Sequence, residues 1–263
     1  MPRRLALTGP PGAQRHRLDG FRDLSWPDLW CAPKGGASGD RVIRTRSWVE
    51  PETIDGLLVA PLGLVVRHLG AVPADLDHQR DGISPLDRIE LAVEHALRMG
   101  VQVSVPQGAR TSGEAMLARV LKRRGDHRPT GSYAETRMVQ LLRVWGLTAW
   151  RQVEVRSGGE YMYTTDLLIP FQQHRRELLV VSPTDGVLLE VDSRDFHADN
   201  FDRDRHRDAT YTRLGFPWLT VTARQIQRQQ RLVLEALLGA FARAQPGGNA
   251  YLALVREVER RSA

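Results

Sequence analysis

The sequence has little of what a secreted, disulfide-bonded or membrane-spanning protein requires. Among its 263 residues Cys31 is the only cysteine, which excludes an internal disulfide and favours a reducing compartment. No apolar run reaches the roughly 18 residues that a bilayer-spanning helix needs. Gly-Pro-Pro-Gly at residues 9–12, shortly after the arginines near the start, interrupts the region where the apolar core of a signal peptide would lie. We therefore expect a cytoplasmic protein without a membrane partner.

Lysine is almost absent as well, because arginine supplies nearly all of the positive charge. Only Lys34 and Lys122 are lysines among the 37 Lys and Arg residues. The formal net charge is +6 and the sequence pI is about 10, which favours a polyanionic partner such as nucleic acid. Arginine suits bidentate contacts to phosphate. A GC-rich genome that biases codons towards arginine explains the composition equally well.

The first half of the chain predicts a smaller, mainly helical α+β domain. Residues 1–40 are rich in Gly, Pro and Arg, and we expect little regular structure there beyond a short helix near residues 26–30. A Gly- and Pro-containing segment, residues 125–131, marks a linker, so we place the domains at 1–128 and 129–263. The other elements predicted in this half are a strand at 41–47, a short strand and helix within 57–69, and amphipathic helices at 85–98 and 114–124.

The second half predicts an α/β fold around a mixed central sheet. Apolar runs and turn signals alternate in the order helix, three or four strands, helix, strand, helix. This order mixes antiparallel hairpins with a crossover helix. The predicted elements are helix 132–145, strands 152–155, 161–169, 177–181 and 187–191, helix 200–214, strand 217–221 and helix 224–244.

The stretch that carries the chemistry is residues 187–208, where an apolar strand ends in a run of charges. Glu190 interrupts this strand and Asp192 follows two residues later, so both carboxylates point to the same face. Two carboxylates on one face of a mostly apolar strand repel each other and are costly to bury, and a divalent cation removes both costs. His197 follows closely enough to fold back onto the same site.

Asp166, inside the strand predicted at 161–169, is the third acid of this site. Beside Glu190 and Asp192 it makes a set of hard oxygen ligands that favour Mg²⁺ or Mn²⁺. Such an ion can activate a water and stabilise the charge on the leaving oxygen of a phosphodiester. The structural alternatives are that Asp166 caps a turn, that Asp192 begins the turn after its strand and that His197 packs without a catalytic role.

Glu135 has two open roles at the start of the helix predicted at 132–145. It follows Ser132 by three residues, which is the pattern of a capping box. It also heads the apolar stripe of the helix, so its side chain is directed towards the core and the edge of the proposed site. The sequence leaves both roles open.

In their order and spacing these residues resemble the PD-(D/E)xK restriction-endonuclease-like superfamily. More narrowly they are similar to its branch related to the very-short-patch-repair (Vsr) endonucleases, as found in actinobacterial and phage proteins. The resemblance implies a mixed central sheet flanked by helices. The matching positions, within about residues 132–226, are Glu135, Gly146-Leu147, Gln152, Thr165-Asp166, Glu190-Val191-Asp192-Ser193, His197 and the run Arg203-Asp204-Arg205-His206-Arg207-Asp208.

The resemblance implies metal-dependent cleavage or nicking of DNA and assigns a role to each matching acid. Asp166 would be the metal-binding Asp and Glu190 the second acid. Asp192 would take the position where the wider fold usually has Lys. His197 would match a catalytic His of the Vsr branch, and Glu135 would border the site.

The chain departs from the family pattern in two ways. No lysine follows Lys122, so the Lys that orients water in the wider fold is missing, and His197 is the candidate to act as general base instead. Residues 171–186 have the pattern of a hairpin inserted between the strands of Asp166 and Glu190. The N-terminal half is similar to the segment that precedes the nuclease domain in these relatives, and through it to AbiEi-type antitoxins, but it has no winged helix-turn-helix pattern.

The expected function is that of a Mg²⁺-dependent deoxyribonuclease that nicks or cuts duplex DNA. The alternative is a catalytically silent DNA-binding or antitoxin-like regulator that keeps the nuclease fold. Cutting both strands requires a homodimer or two successive nicks, and the sequence does not choose between them. Structural roles at a helix end or on a solvated, salt-bridged helix face are the alternative for the basic residues. The residues expected to contact phosphates are Lys122, Arg123, Arg124, Arg203, Arg205 and Arg207.

Overall fold

The computed structural model describes a mixed α/β protein that contains two five-stranded mixed sheets. The chain divides into two compact units, Met1–Asp126 and His127–Ala263. None of the described helices is long and apolar enough to span a bilayer. The residues that the structure describes are 5–21, 28–34, 42–45, 48–71, 82–105, 112–173, 178–192 and 201–262.

The first unit is built around a sheet with the strand order β3-β2-β1-β5-β4. Strand β1 pairs with β2 in antiparallel and with β5 in parallel orientation. The apolar faces of the helices pack together with this sheet into one core. The elements are β1 (Ala6–Leu7), α1 (Gly9–Arg15), β2 (Trp30–Pro33), β3 (Val42–Thr45), β4 (Glu52–Ile54), β5 (Leu57–Val59), α2 (Leu62–His68), a 3₁₀ turn (Leu69–Ala71), α3 (Pro85–Arg98) and α4 (Ser112–Arg124).

Helices α3 and α4 confirm the two amphipathic helices predicted in this half, and β3, β5 and α2 lie in segments predicted as strand or helix. The expectation of an irregular start was wrong, because residues 1–40 contain β1, α1 and β2. Trp30 begins strand β2 and is not helical, while residues 26 and 27 of the predicted short helix lie outside the described residues. Helix α1 escaped detection because its prolines occupy the first turn, where proline is tolerated.

The second unit has a sheet with the strand order β10-β9-β7-β6-β8. Strands β6, β7 and β9 pair in antiparallel orientation, whereas β9 and β10 are parallel, as are β6 and β8. The elements are α5 (Tyr133–Val144), β6 (Trp150–Ser157), β7 (Glu160–Pro170), β8 (Val180–Val181), β9 (Gly186–Asp192), α6 (Phe201–Arg213), β10 (Trp218–Thr222), α7 (Ala223–Arg228), α8 (Gln230–Ala244) and α9 (Asn249–Ser262).

The predicted strands and helices of this unit are present, with two differences. The helix predicted at 224–244 is two helices, α7 and α8, because Gln229 leaves the helical conformation at φ −132° and ψ 41°. The segment predicted as an inserted hairpin does not separate the strands of Asp166 and Glu190. Its short strand β8 pairs with β6 at the sheet edge, and β7 pairs directly with β9.

The sheet of the second unit buries apolar side chains on both faces. One face packs against α5, α7, α8 and α9 through residues such as Leu142, Leu167 and Leu237. The other face carries Trp150 and Leu188 and packs against Tyr211 of α6. Each fully buried large apolar side chain contributes about 1.5–3 kcal/mol to the stability of the fold. The two cores therefore hold the sheet together with the helices that flank it.

Candidate active site

The proposed acids lie where the central sheet opens. Strands β7 and β9 stop pairing beyond Leu167 and Leu189, and Asp166 and Glu190 are the next residue of each strand. Strand β9 nevertheless stays paired with β10. In the opening, the N–H of Val191 donates a hydrogen bond of 2.8 Å to Oδ2 of Asp166. We call this opening between β7 and β9, which begins at Asp166 and Glu190, the fork. The Asp166 carboxylate lies in the fork, between the two strands.

The surroundings of Asp166 disfavour its ionised form. Burial raises the pKa of Asp166 to about 8, and the nearby charges of Glu135 and Glu190 add to the rise. The Val191 N–H and the Arg207 guanidinium act in the opposite direction. Without a further cation, Asp166 therefore holds a proton near neutral pH.

Glu190 is buried, with 3% of its surface exposed, and has two side-chain neighbours from helix α6. The hydroxyl of Tyr211 donates a hydrogen bond of 2.7 Å to Oε1, and Nη1 of Arg207 lies 3.5 Å from Oε2. Burial and the adjacent charge of Glu190 raise the pKa of Tyr211 far above its usual range, so its hydroxyl remains a donor. The Tyr211 ring packs edge-on against Tyr163 and Phe216, which fixes the hydroxyl on Glu190.

Glu135 lies in the first turn of α5, where Ser132 is the N-cap and the Glu135 carboxylate binds Gly131 and Gln152. Ser132 caps the helix, since its Oγ accepts a hydrogen bond of 3.1 Å from the Glu135 N–H. The Glu135 carboxylate is buried and accepts hydrogen bonds from the Gly131 N–H at 2.6 Å and from Nε2 of Gln152 at 2.8 Å. It also raises the pKa of Asp166, so it lies within electrostatic reach of the fork.

Gln152, for which no role was predicted from the sequence, contacts Glu135 beside the fork. It lies in β6 between the pairs Arg151–Leu167 and Val153–Thr165, which places it beside Asp166 on the neighbouring strand. Its φ of +50° is left-handed, a conformation that costs a non-glycine residue on the order of 1–3 kcal/mol. The strained backbone is held by the Gln152 side chain on Glu135 and by Arg128, whose Nη1 donates a 2.7 Å bond to the Gln152 carbonyl.

Of the two remaining predicted site residues, Asp192 is described by the structure and His197 is not. Asp192 is exposed at the end of β9, opposite Thr222 of β10. His197 belongs to residues 193–200, which lie outside the described part of the chain. Within the described residues, no group of three or more His, Cys, Asp and Glu side chains is arranged to hold a metal ion.

The donor chemistry at the fork nevertheless fits a hard divalent cation. Asp166 and Glu190 offer carboxylate oxygens, and Oδ1 of Asp166 has no hydrogen bond to any described residue. Proteins commonly hold Mg²⁺ through one or two carboxylates, with waters and substrate phosphate oxygens completing the shell. Two acids at the fork are therefore enough for a site that is completed by substrate.

The six basic residues expected on DNA fall into different environments. Arg123 forms ion pairs with Asp87 and with the buried Glu90 of α3, and Nε of Arg124 lies 3.0 Å from Oε1 of the buried Glu94. These two arginines therefore bind α4 to α3. Exposed side chains are those of Lys122 on α4 and of Arg203 and Arg205 on α6, whereas Arg207 faces the fork.

Comparison with known proteins gives no match: no family model fits the chain, and no curated protein or solved structure is significantly similar to it.

Proposed function

We propose that the second unit is a divalent-cation-dependent deoxyribonuclease of the restriction-endonuclease-like, Vsr-related type. The observation that carries this proposal is the position of Asp166 and Glu190 on two central strands, at the point where those strands separate. Excess negative charge at this place, expressed in the raised pKa of Asp166, is what a bound cation would compensate.

The order of elements supports the same proposal. Helix α5 is followed by the antiparallel strands β6, β7 and β9, then by α6 and by β10, which is parallel to β9. The resemblance implies this mixed sheet with flanking helices, with the acids on the two central strands and an acid on the preceding helix. The arrangement of Asp166, Glu190 and Glu135 agrees with that expectation.

Each residue of the fork then has a defined task in phosphodiester hydrolysis. Asp166 and Glu190 would hold Mg²⁺ or Mn²⁺, with Asp192 at the outer end of the same strand face. When bound, the ion supplies activation of a water and neutralisation of the phosphate charge. Tyr211 orients Glu190, while Gln152 orients Glu135. His197 stays the candidate general base on grounds of its sequence position alone.

DNA is the proposed partner, and the net charge of +6 agrees with a polyanion. Arg203 and Arg205 are exposed on the first turns of α6, the helix that also contributes Arg207 to the fork. Phosphate contacts by such residues release counterions, so binding should weaken steeply as the salt concentration rises.

A catalytically silent DNA-binding or antitoxin-like regulator is the second candidate function. One observation favours it: Tyr211 and Arg207 already contact both carboxylate oxygens of Glu190, so this buried acid has partners without a metal ion. The absence of lysine after Lys122 points in the same direction. Such a protein would bind duplex DNA without cleaving it.

Conversion of supercoiled plasmid separates the two candidates. The purified chain is incubated with Mg²⁺, Mn²⁺ or EDTA, beside Glu190→Ala and beside Glu235→Gln, which removes an exposed charge on α8. The nuclease proposal expects nicked or linear product that requires metal, disappears with Glu190→Ala and persists with Glu235→Gln. A gel shift with duplex DNA and no cleavage under any metal would instead support the regulator.

A further inference from the structure

Arg207 reaches the fork with its guanidinium, and its ion-pair contacts are longer than those that two arginines of α9 make with Glu257. Nη1 of Arg207 is 3.5 Å from Glu190, Nη2 is 3.3 Å from Asp204 and Nε is 3.9 Å from Asp208. By contrast, Arg260 and Arg261 approach Glu257 to 2.6 Å and 2.7 Å. The Nε of Arg207 is also buried without a hydrogen-bond partner among the described residues. The described residues therefore use only part of the hydrogen-bonding capacity of the Arg207 guanidinium.

The position of Arg207 is fixed by the helix that carries it. Tyr211 lies four residues further along α6 and therefore on the same face of the helix. Because the buried Tyr211 hydroxyl is bonded to Glu190, the helix cannot slide or turn without breaking that contact. One turn away, the Arg207 guanidinium is consequently held at the other oxygen of the same carboxylate, with 22% of its side chain exposed.

This guanidinium is suited to a phosphate. Arginine presents a planar fork of donors that matches the oxygens of a phosphate, and it stays charged at all relevant pH values. The second unit, His127–Ala263, contains no lysine that could provide a positive charge instead. A phosphodiester brought to Asp166 and Glu190 would bring its non-bridging oxygens within reach of Arg207.

We propose that Arg207 is a catalytic residue that donates hydrogen bonds to a non-bridging oxygen of the phosphate being cleaved, an inference that rests on the proposed nuclease function. In that reaction the water oxygen forms a bond to phosphorus, one ester P–O bond breaks, and the departing oxygen ends with the proton that the water loses. Arg207 keeps its own protons and stabilises the negative charge that accumulates on the phosphate in the transition state.

The test compares Arg207→Ala and Arg207→Lys with Arg231→Ala, which removes an exposed arginine from α8 on the opposite face of the sheet. We expect Arg207→Ala to lower kcat about 100-fold or more, the size typical for loss of one transition-state donor, with KM changed only a few-fold. Arg207→Lys should retain part of the activity, and millimolar guanidinium should partly restore Arg207→Ala. Cleavage by Arg207→Ala at the rate of Arg231→Ala would overturn the proposal.

A second readout does not depend on cleavage. Binding to a short duplex is measured in EDTA over a range of salt concentrations. The slope of the logarithm of the binding constant against the logarithm of the salt concentration should be shallower by about one in Arg207→Ala, because one phosphate contact is lost. If the wild type cleaves nothing, the nuclease function fails, and this slope still decides the contact: a slope equal to that of Arg231→Ala overturns it. If Arg207→Ala does not fold, Arg207→Lys is tested in its place. A kcat equal to that of the wild type and no response to guanidinium in Arg207→Lys would contradict a role for the planar guanidinium.

Discussion

Replacing Asp166 by Asn should make the protein more stable at alkaline pH, at the expense of its proposed function. The amide matches the protonated acid in shape, and its oxygen can still accept the hydrogen bond from the Val191 N–H. What the change removes is the charged form of Asp166, which burial and the charges of Glu135 and Glu190 disfavour in the folded protein.

The sign and size of the effect follow from the pKa. The pKa of Asp166 is 3.8 ordinarily and about 8 in the folded protein. Between pH 3.8 and about pH 8, Asp166 therefore keeps a proton in the folded state that it has lost in the unfolded chain. The free energy of unfolding of the wild type therefore falls as pH rises through this window, by at most about 1.36 kcal/mol per pH unit from this group. Because the site relaxes around an ionised Asp166, we expect less than this upper bound, and Asp166→Asn should be about 2 kcal/mol more stable than the wild type above pH 8.

Urea unfolding in EDTA at pH 5, 7 and 9 measures this difference, with Asp202→Asn on the exposed surface of α6 as the matched control. The advantage of Asp166→Asn should grow with pH, whereas Asp202→Asn should follow the wild type. Added Mn²⁺ should then stabilise the wild type more than Asp166→Asn. A stability difference that is independent of pH, or an Asn variant that is less stable than the wild type at pH 9, would show that ionisation of Asp166 does not destabilise the fold.

Two further predictions concern the surroundings of the site and the first unit. At Gln152 the left-handed φ favours glycine, so Gln152→Gly should be about 1 kcal/mol more stable than Gln152→Ala in thermal unfolding. Both variants lose the hydrogen bond to Glu135, so the comparison isolates the backbone. Equal stability of the two variants would show that the backbone there is not strained. Arg123→Met should destabilise the protein by about 3 kcal/mol because it removes an ion-pair partner of buried Glu90. Lys122→Met on the exposed side of α4 is the control, and a loss of DNA affinity without a loss of stability in Arg123→Met would contradict the structural role.

The strands and most helices of the second unit could be predicted from the sequence because the period of the apolar residues and the turn signals are local. The acids at residues 166 and 190 followed from the same patterns, since a charged residue inside an apolar strand is visible without a structure. Their pairing across the fork was not visible, because it depends on which strands become neighbours. The strand order shows that residues 171–186 leave β7 and β9 adjacent.

What the sequence could not show are contacts between residues far apart in the chain. The left-handed conformation of Gln152 has no local signal, since it arises where the residue meets Glu135 and Arg128. The basic residues 122–124 at the end of α4 could interact favourably with the helix dipole or bind the phosphates of DNA, and the sequence agreed with both. Only the packing of α4 on α3 shows that Arg123 neutralises a buried glutamate there.

Mn²⁺ binding measured by electron paramagnetic resonance shows directly whether Asp166 and Glu190 form a metal site. Wild type, Glu190→Gln and the surface control Glu235→Gln are titrated at pH 7 in the presence of a short duplex DNA, with the signal of the DNA alone subtracted. We expect about one tightly bound ion per chain in the wild type and in Glu235→Gln, and loss of that ion in Glu190→Gln. Equal binding by all three proteins, or no bound ion in the wild type, would contradict a metal site at Asp166 and Glu190.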